Sequence, residues 1–219
     1  MTKITTYNKG IIIDGHADTK EECETITLLC NSLAKDKNFK QVAYDDGYAA
    51  FQKIGKAEKL YLRGKENTEF YARGSGVEWR LSALAGCSGD IRTLFDWKTK
   101  SMAPYYSYWC YKMFYGCANL TTAPELLATN LSQYCYKEMF YGCVNLTIAP
   151  ELPATTLEKY CYQSMFYGCT SLKVNTSSGN KIFTCPSSIP DLAVTDMFSN
   201  TGGTFKGTPT AGNTYYWTE

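Results

Sequence analysis

The sequence predicts an α+β fold in which a small strand–helix–strand–strand head precedes a short solenoid of repeats. A ten-residue stretch recurs in the second half: YCYKEMFYGC at 134–143 and YCYQSMFYGC at 160–169, with a shorter WCYKMFYGC at 109–117. Residues 1–60 lack this period. In addition, 30 of the 43 Asp, Glu, Lys and Arg residues precede residue 101. The two halves are therefore expected to be built differently.

The head is assigned to residues 1–60 from its cap and turn signals. Ile11–Ile13 is predicted as a strand, and Thr19 with Glu22 forms a capping box that begins a helix over 20–35. The segments KQVAY and YAAFQKI flank Asp45-Asp46-Gly47, which is the signal of a β-hairpin. The order strand, helix, strand, strand follows from these signals.

The repeats are assigned to 61–205, with an N-terminal cap over 61–104 and a C-terminal cap strand over 206–219. Each unit is predicted to contain a short helical turn (YCYKEMF), a turn at YGC and an extended piece such as NLTIAPEL. The fixed 26-residue period implies units that stack on their neighbours, so that the same position forms a column. We therefore expect Phe114, Phe140 and Phe166 to pack on one another in the core.

The cysteines of the repeats are predicted to form two columns. The columns are Cys110, Cys135, Cys161 and Cys117, Cys143, Cys169. Spacings of seven or eight residues within a unit fit no common zinc pattern, so neither a metal nor a cofactor is predicted. Disulfides between stacked turns are sterically conceivable, yet three cysteines in one column cannot all pair. Free thiols that act as small buried hydrophobes are the favoured interpretation.

Two surfaces of the repeats are candidates for binding. The first consists of tyrosine columns beside the core, because tyrosine can bury its ring and still offer a hydroxyl to a protein or carbohydrate. Its members are Tyr134 with Tyr160, Tyr136 with Tyr162, and Tyr141 with Tyr167. The alternative is that these tyrosines close the convex side without a ligand. The second surface is the strand side, with Thr121, Thr147, Glu125 and Glu151.

The repeat resembles the BspA-type leucine-rich repeat. The family pattern places a Cys three residues after a Phe and a Leu three residues further on, which Phe140, Cys143 and Leu146 match. Residues 166–172 match it again, and APELPATTL at 149–157 is similar to the variety abundant in gut bacteria and their phages. The resemblance covers about 80–205 and implies a leucine-rich-repeat solenoid that binds protein or glycan.

The stretch DGHADTKEEC at 14–23 carries a possible Cys-His pair. Cys23 lies in the first turn of the predicted helix, where a thiolate is favoured, and His16 could serve as its base. This stretch resembles the Prp-type cysteine proteases of bacteria and phages, and that resemblance implies catalytic roles for His16 and Cys23. Glu21, Glu22 and Glu24 would raise the pKa of the thiol, which favours a docking or assembly role for the head.

Composition excludes several functions. The net charge of +1, without a Lys/Arg block, argues against nucleic acid and anionic membranes as partners. The first twenty residues hold an apolar run of only three, so neither a signal peptide nor a membrane span is predicted.

We therefore expect a non-enzymatic binding or display protein, with the location in a phage virion or the cytoplasm of the bacterial host. In a virion it would act in decoration or adhesion, and its head would contact capsid or tail proteins. The alternative is a Cys-His peptidase whose repeats select its substrate.

Overall fold

The computed structural model describes residues 2–7, 10–15, 39–45, 48–53, 71–72, 75–81, 85–94 and 107–219. These residues form mostly strands and turns, and their only helix is the short 3₁₀ helix Ile91–Leu94. The helix predicted over 20–35 lies outside the described residues. None of the helices in the described part of the chain has the length and apolar character needed to cross a membrane.

The strands of the N-terminal part form one six-stranded mixed sheet. They are β1 Thr2–Tyr7, β2 Gly10–Gly15, β3 Phe39–Asp45, β4 Tyr48–Lys53, β5 Tyr71–Ala72 and β6 Ser75–Leu81. Their spatial order is β3-β4-β2-β1-β6-β5, and only the β1–β6 pair is parallel. The predicted hairpin is confirmed, because β3 and β4 pair antiparallel with Asp45 opposite Tyr48.

Three strands of this sheet, β1, β5 and β6, have no counterpart among the predicted elements of the head. Strand β1 precedes the predicted strand at Ile11–Ile13 and pairs with β2 along its whole length. Strand β6 lies in the range assigned to the N-terminal cap, and it pairs with β1 from Val77 to Leu81. The sheet of the head therefore continues beyond residue 60.

Four turn units, 107–117, 133–143, 159–169 and 191–201, lie side by side and are joined in one hydrogen-bond register. Alternate N–H groups of a unit reach the next unit: Tyr136 donates to the carbonyl of Cys161 at 3.0 Å, and Phe140 to that of Met165 at 2.9 Å. The intervening N–H groups bond three residues back within their own unit, as Met139 does to Tyr136 at 3.2 Å. The first and second units, and the third and fourth, are joined in the same way.

The predicted helical turn is wrong in its backbone. An α-helix would use every N–H group within its own unit, whereas half of them here bond to the neighbour. Every fourth residue of a unit has positive φ. These residues are Tyr108, Lys112, Gly116, Tyr134, Glu138, Gly142, Tyr160, Ser164, Gly168, Leu192, Asp196 and Asn200. The left-handed conformation costs about 1–2 kcal/mol for each non-glycine residue, and the bonds between units offset that cost.

The predicted phenylalanine column is confirmed and is four rings long. The Phe114–Phe140, Phe140–Phe166 and Phe166–Phe198 ring centroids are 5.5, 5.4 and 5.7 Å apart, and the rings are nearly parallel. Columns of methionine and leucine accompany it. The methionines Met113, Met139, Met165 and Met197 and the leucines Leu120, Leu146 and Leu172 are all fully buried. Repetition of these positions therefore forms the core of the repeats.

The assignment of Cys110 to a column with Cys135 and Cys161 is wrong. The N–H of Cys110 bonds to the carbonyl of Cys135, just as the N–H of Tyr136 bonds to that of Cys161. Cys110 therefore occupies the position of Tyr136, and Trp109 the position of Cys135. An offset of 26 residues gives the same alignment, since it matches Cys110 with Tyr136 and Trp109 with Cys135. The first motif, WCYKMFYGC, is one residue shorter than the others, and this made Cys110 look equivalent to Cys135.

The remaining strands are short and lie in the segments that precede, connect and follow the four units. Strand β7, Ala85–Gly86, pairs in parallel with β8, Leu120–Thr122. The strands of a second sheet are β9 Lys173–Asn175, β10 Asn180–Thr184, β11 Gly202–Gly203 and β12 Thr214–Thr218, in the order β10-β12-β9-β11. Gly203 has a φ of 82°, and a Cβ there would collide with the carbonyl of Val174. Only glycine fits this close approach.

Candidate recognition surface

Two rows of stacked tyrosines cross the first three turn units. We call Tyr108, Tyr134 and Tyr160 the first ladder, and Tyr115, Tyr141 and Tyr167 the second ladder. Neighbouring ring centroids are 4.6 and 4.5 Å apart in the first ladder and 4.8 and 4.7 Å apart in the second. All six rings are partly exposed. The two ladders together form what we call the tyrosine face.

The local backbone explains why these tyrosines share a side. Within each unit, pairs of buried residues alternate with pairs of partly exposed ones, so the same side recurs every fourth residue. The tyrosines of the first ladder occupy a positive-φ position, and those of the second ladder immediately precede a positive-φ glycine. A ring that is stacked on both faces keeps only its edge and hydroxyl for a partner. Such edges and hydroxyls suit hydrogen bonding and packing against a protein surface.

A chain of charges connects the two ladders. The ammonium of Lys137 lies 5.8 Å from the ring centroids of both Tyr134 and Tyr160, in the first ladder. It also forms an ion pair with Glu138 at 3.5 Å, and Glu138 pairs with Lys112 at 3.2 Å. The Lys112 ammonium lies 4.9 Å from the centroid of Tyr115 in the second ladder. These cation–π contacts and ion pairs hold the long side chains against the rings.

The central tyrosines of the ladders have raised pKa values. Partial burial raises the pKa of Tyr134, and the neighbouring phenols Tyr108 and Tyr160 raise it further. Partial burial and two stacked phenols raise the pKa of Tyr141 in the same way. Both hydroxyls are therefore neutral and able to donate hydrogen bonds at physiological pH.

The structure divides the tyrosines predicted for binding. Tyr134, Tyr160, Tyr141 and Tyr167 belong to the ladders. By contrast, Tyr136 and Tyr162 are each 1% exposed and form part of the core, with ring centroids 6.0 Å apart. Neither of these two buried rings is accessible to a ligand.

The residues predicted on the strand side are mostly used within the protein. Both the N–H and the hydroxyl of Thr147 donate to the carbonyl of Thr121, at 3.0 and 3.2 Å. Glu151 forms an ion pair with Lys181 at 3.1 Å. Glu125 is exposed, and its backbone bonds to Gly89 and Ile91. These residues join successive segments of the chain, and the structure does not bring them together with the ladders.

Several residues of the tyrosine face, and the charged residues beside it, were not predicted from the sequence. Tyr108 and Tyr115 precede Tyr134 and Tyr141 by the 26-residue period, so the period alone could have found them. The shorter form of the first motif hid this equivalence. The roles of Lys112, Lys137 and Glu138 had no signal in the sequence, because their contacts depend on which rings lie beside them.

The cysteine thiols of the four turn units face the core and are not suited to nucleophilic chemistry. Burial raises the pKa of Cys161 to about 12, and it raises the pKa of Cys143 well above the ordinary value. The Cys143 thiol donates to the carbonyl of Phe114 and the Cys169 thiol to that of Phe140, each at 3.1 Å. They thus add bonds between units to the predicted role of small hydrophobes. The described residues contain no group of His, Cys, Asp and Glu side chains that could hold a metal ion.

His16 and Cys23, the candidate catalytic pair, lie outside the described residues. The comparisons with known proteins add no family assignment: no protein-family model and no solved structure matches the chain.

Proposed function

We propose that the protein is a non-enzymatic recognition protein that binds its partner through the tyrosine face. Under this proposal the four turn units belong to a short leucine-rich-repeat solenoid. The support is the common register of the four units and the 26-residue period of the first three. The solenoid displays the face, and the sheet of the head serves for attachment.

The observation that carries the proposal is the pair of tyrosine ladders. Six partly exposed tyrosines, held at separations of 4.5–4.8 Å, form a rigid surface of edges and hydroxyls. Tyrosine is enriched among the residues that dominate binding energy in protein interfaces. A rigid ladder also loses little side-chain entropy on binding, because its rotamers are already fixed. A protein partner is favoured over a glycan, since sugar rings stack on open ring faces and most faces here are covered by the next tyrosine.

The proposal is tested with the full-length chain on a panel of intact bacterial cells and on a glycan array. The double variant Tyr134→Ala/Tyr160→Ala removes two rings of the first ladder without touching the phenylalanine column. We expect the wild type to bind protease-sensitive sites on at least one cell type. The double variant should lose at least tenfold in affinity, measured by flow cytometry with labelled protein.

Tyr216→Ala is the matched control, because Tyr216 is also partly exposed but lies on β12 and outside both ladders. It should bind like the wild type, and thermal unfolding should verify that both variants are folded. Equal affinity of the double variant and the wild type would refute the proposal. Binding to array glycans, with none to protease-sensitive sites, would assign the face to a glycan instead.

A bacteriophage particle is the setting that we propose for this display. The support is the resemblance of both parts of the sequence to families that occur in phages, and the head would then contact capsid or tail proteins. Mass spectrometry of purified particles tests the setting. Tryptic peptides of this chain at a constant ratio to the major capsid protein are expected. Their confinement to the host cytosol would contradict the setting and leave the recognition proposal standing.

A further inference from the structure

We infer that Tyr167 and Asp196 form a site for a cationic side chain of the partner, a lysine or an arginine. This inference rests on the proposed function for the origin of the cation, and it deepens that proposal by naming what one end of the second ladder recognises. The same chain contains an equivalent site, and in that site a lysine of the chain itself supplies the cation.

The filled site lies between the first and second units. The ammonium of Lys112 lies 4.9 Å from the ring centroid of Tyr115 and 3.2 Å from a carboxylate oxygen of Glu138. The ring belongs to one unit and the carboxylate to the next. An aromatic face and a carboxylate together stabilise a cation by cation–π attraction and by an ion pair.

The third and fourth units repeat this arrangement in the same register. Lys112, Phe114 and Gly116 donate their N–H groups to residues 137, 139 and 141. Ser164, Phe166 and Gly168 donate theirs to residues 195, 197 and 199. Tyr167 therefore corresponds to Tyr115, and Asp196 corresponds to Glu138. The backbone agrees as well, since φ is 55° at both Glu138 and Asp196.

Two parts differ between the two sites: the cation, and a second ring on which it rests. The Lys112 ammonium also lies 5.2 Å from the ring centroid of Tyr111, and the position of Tyr111 is taken in the third unit by Gln163. The position of Lys112 is taken in the third unit by Ser164, whose φ of 51° is close to the 56° of Lys112. Among the described residues, no lysine or arginine forms an ion pair with Asp196 or lies over the ring of Tyr167. Asp196 is exposed, and its Oδ1 accepts a bond from the Ser199 hydroxyl at 3.0 Å.

At the end of the second ladder, one face of the Tyr167 ring has no aromatic neighbour among the residues that the structure describes. Tyr167 stacks on Tyr141, and the next residue in its column is the small Ser199, whose carbonyl accepts from Gly168. The first ladder ends differently, because the residue that follows Tyr160 in its column is the apolar Leu192. The register gives Asp196 the position that Glu138 has in the filled site, and a small neutral residue takes the lysine position, so the site suits a cation rather than an apolar group.

The test uses the full-length chain with ¹³C-labelled tyrosine rings and N-acetyl-lysine-methylamide as the probe. Its uncharged analogue, N-acetyl-norleucine-methylamide, has the same stem without the ammonium. We expect a saturable shift of the Tyr167 resonance with the lysine probe, with a dissociation constant of about 100 mM, the weak affinity that an exposed cation–π contact and an exposed ion pair provide together. The norleucine analogue should produce no saturable shift.

The decisive variant is Ser164→Lys, which supplies the cation from within the chain as Lys112 does in the first unit. It should weaken probe binding at least fivefold, and Asp196→Asn should weaken it severalfold. Ser188→Lys adds the same charge at an exposed position that belongs to neither ladder and serves as the control. No shift of Tyr167 in the wild type, or equal binding by Ser164→Lys and Ser188→Lys, would overturn the inference. Because the probe replaces the partner, this result is independent of the cell-binding test of the first ladder.

Discussion

The phenylalanine column and the tyrosine ladders arise from the same repeat period, yet the column forms core and the ladders form surface. The phenylalanine rings are at most 2% exposed and their centroids are 5.4–5.7 Å apart. The tyrosine rings are partly exposed and 4.5–4.8 Å apart. The period thus stacks like residues on like, whereas the position within a unit decides whether a stack forms core or surface.

The largest effect is expected when the column is broken at Phe140. Phe140→Ala removes a fully buried ring that stacks on Phe114 and on Phe166. The substitution loses the transfer free energy of the ring and leaves a cavity between two units, at a cost of about 3–5 kcal/mol. Urea denaturation measures this loss in the free energy of unfolding. A loss no greater than that of Tyr141→Ala would contradict the distinction between column and ladder.

Alkaline pH is expected to destabilise the core next to this column. Burial raises the pKa of Cys87 to about 11 and that of Cys161 to about 12, from an ordinary value of 9.0. Above pH 9 the unfolded chain therefore releases these protons while the folded chain retains them, so the free energy of unfolding falls as pH rises. Below about pH 8 these thiols contribute no pH dependence.

The measurement for this second prediction is urea denaturation under reducing conditions from pH 7.5 to 11. Cys161→Ala is the comparison variant, because it removes one of the shifted thiols. It should show a shallower decline between pH 9 and 11 than the wild type. Stability that is independent of pH over this range would show that the thiols ionise as easily in the folded chain.

The smallest effect is expected in the second ladder. Tyr141→Ala removes two stacking contacts at a partly exposed site, and it should lower the free energy of unfolding by about 1–2 kcal/mol. Tyr141→Phe keeps the ring and should leave stability nearly unchanged. If Tyr141→Phe destabilises the protein as much as Tyr141→Ala does, the hydroxyl rather than the stacked ring holds the ladder together.

Much of the repeat could be predicted because its evidence is periodic. The repeat period identified the phenylalanine column, and the Asp-Gly turn identified the β3–β4 hairpin. The buried residues of a unit recur every four positions, which is close to the helical period of 3.6, so this spacing does not distinguish the observed turns from a helical turn. Positive φ at Tyr134 and Glu138 has no signal in residue propensity.

The candidate site was predictable only in part for a similar reason. Tyr134 and Tyr136 look equivalent in the sequence, since both recur as tyrosine one period later, at Tyr160 and Tyr162. The structure places Tyr134 in the first ladder and buries Tyr136 in the core. Because the buried and exposed positions alternate with a period of four residues, two positions that are two residues apart lie on opposite sides. The sequence does not show which of the two tyrosines is accessible, whereas the backbone conformation does.

The sequence by itself determined which residues stack, because identical positions of a repeat must meet when the units lie side by side. The tertiary structure alone decided the turn backbone, the exposed side and the charged contacts across it. The physical reason is that half of the N–H groups in each unit are satisfied by its neighbour. The conformation of one unit is thus stabilised by the next, and no single unit contains the information that selects it.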